Sequence, residues 1–132
     1  MTREEIYQDV KETLGLVPEF IKHVPDATLE HDWLSFKALQ LGETAIPNKY
    51  KELIGLAVAS ALQCPYCEYF HRGAAEFFGA TEEELNETGR LGMQTAGWST
   101  MVASIGQDVE EFQQEFDRII EYIRQQGQQK AA

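Results

Sequence analysis

An all-α fold is what this sequence predicts, and three observations carry that expectation. Apolar residues recur at helical spacing in almost every long segment. β-Branched residues are scattered rather than gathered into short alternating runs. Capping residues and glycine stops then cut the chain into about six helix-length segments within one domain.

In the first helix, Thr2 caps Arg3-Glu4-Glu5, whose carboxylates suit the positive helix end. Ile6, Val10 and Leu14 form its apolar stripe, with Val17 beyond, and Gly15 stops it. A short turn from Pro18 to His23 runs into Pro25. Asp26 then opens a helix with Leu29, Trp33, Phe36, Leu39 and Gln40, which ends at Gly42. Ile46-Pro47 opens the next helix. Its buried side is read as Tyr50, Leu53, Ile54, Ala57, Val58 and Ala61, and it is expected to be deeply packed. The cysteine-bearing helix runs through Ala75 and Phe78 to Gly79. Thr81 and Glu84 form a capping box for a helix that continues to Ile105, where Gly89, Gly92 and Gly97 permit a bend. After Gly106, Asp108 caps a final amphipathic helix with Phe112, Phe116, Ile119, Ile120 and Ile123 on one side.

With 132 residues the chain is expected to be a single domain, 1–132. Its core falls within 26–106, its C-terminal helix over 108–124, and a frayed Gln-rich tail over 125–132. The 43% hydrophobic and 25% charged content is that of a soluble globular protein. No apolar leader and no stretch long enough to span a bilayer is evident, so the expected location is cytoplasmic, with no membrane association. A net charge of −11 repels phosphate backbones and argues against nucleic acid as a partner.

Two cysteines do not make a disulfide framework, but at C-x-x-C spacing they point to redox or metal chemistry. Cys64-Pro65-Tyr66-Cys67 is followed by His71. At about 100° per residue, Cys67 and His71 share a helix face, and Cys64 returns to within about 20° of His71. Pro65 suits the first helical position and places Cys64 at the helix N-terminus, where the dipole favours thiolate. Glu52 lies on the preceding apolar helix, about 18 Å of helix from Cys64, so it reaches this face only if the two helices pack antiparallel. His71 then lies between acid and thiol as a proton shuttle oriented by Glu52.

Glu52, Cys64-Pro65-Tyr66-Cys67 and His71, together with Ile46-Pro47, Lys51-Glu52-Leu53-Ile54 and Gly79-Ala80-Thr81, resemble the signature of the alkyl hydroperoxidase D branch of the carboxymuconolactone decarboxylase superfamily. The resemblance implies an AhpD-like helical bundle that assembles as a homotrimer or homohexamer. It implies reduction of alkyl hydroperoxides through a dithiol–disulfide cycle and needs no cofactor. Cys67 would attack the peroxide, Cys64 would resolve the sulfenic acid, His71 would relay the proton and Glu52 would act as base. A lipoyl-protein, a thioredoxin-like protein or a peroxiredoxin would supply the reducing dithiol. Tyr66 departs from the pattern, because the best-described members carry an additional histidine there; it is a candidate substrate contact.

Other readings remain at this stage. A zinc site fits the donor types, but structural zinc usually takes two separated ligand pairs, and no second pair exists here, so no metal is expected. Haem attachment needs histidine where Glu68 stands. A carboxymuconolactone decarboxylase-type enzyme and a non-enzymatic redox-sensing or assembly protein are the functional alternatives. His23 and His31 read as surface residues, and Trp33 and Trp98 as packing anchors.

Overall fold

The computed structural model describes residues 1–131. Among them the regular structure is entirely helical: α1 (Arg3–Leu14), α2 (Glu19–Lys22), α3 (Asp26–Phe36), one π-helical turn (Lys37–Leu41), α4 (Asn48–Ala61), α5 (Pro65–Phe77), α6 (Glu82–Ile105) and α7 (Val109–Ala131). The chain divides into two compact units, Met1–Gly89 and Arg90–Ala132.

Local chemistry accounts for several helix ends in the first unit. Thr2 accepts from the Glu5 amide while the Glu5 carboxylate accepts from the Thr2 amide, satisfying two donors that a helix N-terminus leaves free. Thr81 and Glu84 repeat the arrangement at α6. Gly15 adopts a φ of 83°, a left-handed conformation that closes α1 through a bond to the Lys11 carbonyl. Pro47 sits just outside α4 as its N-cap, one place earlier than a first-turn proline.

The first unit holds two apolar clusters. Ile6, Val10, Ile21, Leu29 and Trp33 form one, so α1 and α2, which lie before the expected core range, contribute three of its five residues. Trp33 also donates from Nε1 to Asp9 at 2.6 Å, and the Lys37 ammonium reaches the other Asp9 oxygen at 2.6 Å. Leu56, Ala75 and Leu85 form the second cluster between α4, α5 and the start of α6.

The buried face of α4 differs from the expected one. Lys51, Glu52, Leu56 and Ala59 are buried, whereas Tyr50, Ile54 and Val58 are about half exposed. Hydrophobic periodicity alone chose the other stripe. The face that packs is the one whose charged groups find internal partners, which removes the cost of burying them.

In the second unit, α7 carries no buried residue, and Phe112, Phe116, Ile119 and Ile123 are exposed along one side. Asp108 caps the helix by accepting from the Glu111 amide at 2.9 Å. The stretch 125–131, expected to fray, continues α7; its glutamines and lysine tolerate helix well, and Gln125 bonds back to Glu121 at 3.1 Å. Ala132 lies outside the described residues.

Candidate functional site

The site begins where α4 ends. Gln63 adopts a φ of 54°, a left-handed conformation uncommon outside glycine, and the Cys64 amide bonds back to the Ala59 carbonyl at 3.0 Å. This tight reversal lays α5 back along α4. Cys64 is the N-cap of α5, with an extended backbone and Pro65 following it in the first turn. Its sulfur accepts the Cys67 amide at 3.4 Å, a role usually taken by a serine or aspartate oxygen. Both cysteines are free thiols; Cys64 is partly buried and Cys67 exposed.

That geometry separates the two sulfurs. The Cys67 amide, and then the Cys67 thiol, hold Cys64 below the ordinary thiol range; partial burial and the nearby Glu68 charge oppose them. Cys67 moves up instead, first because its S–H donates to Cys64, then through partial desolvation and the Cys64 charge. The cap bond therefore favours thiolate at Cys64 and the neutral thiol at Cys67.

Glu52 and His71 meet across the α4–α5 contact. His71 Nδ1 lies 2.7 Å from Glu52 Oε2. The Glu52 side chain is 1% exposed and that of His71 17%, so the pair is withdrawn from solvent where an ionic hydrogen bond is strong. His71 follows Cys67 by one helical turn on α5. Its ring packs edge-on to Phe70 at 5.1 Å, and Phe70 continues through Phe36 to Trp33, linking the imidazole to the first apolar cluster.

Three contributors escaped the sequence reading. Gln40, to which the sequence assigns only a place in the helix that Asp26 opens, donates from Nε2 to Glu52 Oε1 at 2.9 Å. Lys51 donates to the carbonyls of Leu39 and Gly42, each at 2.7 Å. A Cβ on Gly55 would stand 2.4 Å from His71 Nδ1, so only glycine leaves room for the ring in this position. No spacing rule marks any of the three. Tyr66 is 85% exposed and lies on the outer side of the motif. His23 reaches Glu19 at 3.3 Å on the surface, and His31 is exposed. Among the described residues no three His, Cys, Asp or Glu side chains gather as a metal ion would require, and no helix is long and apolar enough to cross a membrane.

Residues 23–107 match the model of the carboxymuconolactone decarboxylase family, and the chain belongs to that family. A crystal structure described as the alkylhydroperoxidase AhpD core from Rhodospirillum rubrum superposes with a TM-score of 0.70 at 27% identity, covering 82% of each chain. The chain is also 33% identical over 61 residues to uncharacterized protein 4 in the cox locus of Paracoccus denitrificans. That match takes in 46% of this chain and 55% of the relative, so the chain spans about half the length of this curated relative.

Proposed function

We propose that this protein is a thiol-dependent oxidoreductase that reduces alkyl hydroperoxides through Cys64 and Cys67, with Glu52 and His71 as its proton relay. The observation that carries the reading is the buried Glu52–His71 hydrogen bond of 2.7 Å, one helical turn from an asymmetric dithiol at a helix N-terminus. The described AhpD core from R. rubrum supports it by structural likeness.

In this cycle His71 accepts the Cys67 proton, and the Glu52 carboxylate stabilises the resulting imidazolium. The Cys67 sulfur attacks the terminal peroxide oxygen and breaks the O–O bond. His71 returns the proton to the departing alkoxide, leaving an alcohol and Cys67 sulfenic acid. Cys64, the sulfur with the lowered pKa, is already suited to attack as a thiolate. It displaces hydroxide from the sulfenic sulfur; with a proton this becomes water, and a Cys64–Cys67 disulfide remains. An external dithiol resets the pair by exchange, becoming a disulfide itself. A lipoyl-protein, a thioredoxin-like protein or a peroxiredoxin fits that chemistry. Tyr66 is exposed beside the thiols and is proposed as a substrate or partner contact.

Steady-state turnover of an alkyl hydroperoxide with a supplied dithiol tests the proposal. Cys67→Ser is expected to abolish turnover, and unchanged turnover sinks the peroxide reading. The family description favours one rival, a decarboxylase-type activity, which survives this substitution because it needs no thiol. A redox sensor would oxidise once without turning over.

A further inference from the structure

We infer that Gln40 is a positioning residue for the Glu52–His71 pair, held in place by a π-helical turn that Lys51 anchors. The inference rests on the relay proposed above and adds residues to it.

Glu52 has two oxygens and almost no contact with water. His71 occupies Oε2 and Gln40 donates to Oε1 at 2.9 Å. A carboxylate bonded at both oxygens has no freedom to rotate about its last torsion, so the lone pair facing Nδ1 stays aimed there.

Gln40 reaches Glu52 from the π-helical turn Lys37–Leu41, where the backbone widens between α3 and Gly42. The next residue back from Glu52 on α4 clamps that turn. Lys51 is 9% exposed, and its ammonium donates to the Leu39 and Gly42 carbonyls on either side of Gln40 and Leu41. Consecutive residues of α4 thus hold one segment: the Lys51 ammonium donates to its backbone carbonyls, and the Glu52 carboxylate accepts from the Gln40 side-chain amide. An isolated lysine so deeply placed carries a desolvation cost, which these two carbonyl bonds offset. Gly42 approaches the Ala38 carbonyl so closely that a Cβ would stand 2.5 Å from its oxygen, so a residue without a side chain is what lets the turn close here.

The test uses the full chain, with circular dichroism as a check that each variant folds. In the parent, the His71 Nδ1 proton is expected to give a slowly exchanging resonance in the nuclear magnetic resonance spectrum. Gln40→Leu keeps much of the side-chain bulk but cannot donate. It should lose that resonance to exchange and lower kcat about tenfold with KM for the peroxide unchanged. The near-isosteric Gln40→Glu donates only while its new carboxyl is protonated, so resonance and rate should recover on the acid side and fall as pH rises. A Gln40→Leu protein that is folded and retains the parent's His71 resonance overturns the inference, whatever its rate. Loss of the resonance in a protein whose parent shows no peroxide turnover supports Gln40 as the positioning residue and refutes the peroxide reading alone.

Discussion

Cys64 and Cys67 belong to the same turn of helix and yet differ chemically, because one sulfur caps the helix and the other donates to it. Titrating the reduced protein by thiolate absorbance should therefore show two steps. The first lies below the ordinary thiol value, where Cys64 ionises, and the second lies above it, where Cys67 follows with a negative neighbour in place. A single step at the ordinary value would mean that the cap bond does not form in solution. The His71 ring fits against α4 because Gly55 has no side chain. Gly55→Ala should push the ring off the Glu52 carboxylate and lower peroxide turnover by about a hundredfold. Parent-like kinetics in a folded Gly55→Ala protein would show that the ring position does not matter.

Helix signals in the sequence were read from local chemistry, and they were reliable where local chemistry decides. Thr2, Gly15, Cys64-Pro65, Thr81 with Glu84, and Asp108 all stand at helix ends because caps and left-handed stops depend on neighbours within a turn. The face that α4 buries was not legible, since Lys51 and Glu52 go inside only when the π-turn carbonyls, Gln40 and His71 arrive from elsewhere in the chain. Gln40 and Gly55 were hidden for the same reason: neither has a spacing relation to the cysteines, and both act across a packed contact. Glu52 and His71 were visible through the family-like pattern, and antiparallel packing of α4 and α5 was the geometry their meeting required. Thr81→Ala should destabilise the protein by about 1 kcal/mol in urea unfolding, through loss of the bond to the Glu84 amide. An unchanged midpoint would mean that α6 starts without that cap.

Across the whole molecule, stability and assembly follow from how charge and apolar surface are placed. Asp9 is held below the usual carboxylate range by Lys37 and then by Trp33, and Glu84 by Lys49 and then by the Thr81 amide. A carboxylate whose folded pKa is lowered contributes stability that is present above its unfolded pKa and lost as pH falls through the folded one. Thermal midpoints should therefore decline as pH drops through the acid range, and Asp9→Asn should flatten part of that decline. A parent curve that is flat through the same range would contradict the ion-pair account. The exposed stripe of Tyr50, Ile54 and Val58 on α4 and the apolar side of α7 leave much hydrophobic surface in water. We propose a homotrimer or homohexamer as what covers it, and a 15.0 kDa monomer at micromolar concentration in sedimentation would count against that.

Counting thiols after a single equivalent of alkyl hydroperoxide decides whether Cys64 and Cys67 form one peroxide-reducing centre, as proposed. Both thiols should disappear together, the intact mass should fall by two hydrogens, and one alcohol should be released per chain. Cys64→Ser should stop at the Cys67 sulfenic acid. Two thiols still titratable after the peroxide has been added, with no alcohol formed, would mean that the pair does not reduce peroxide.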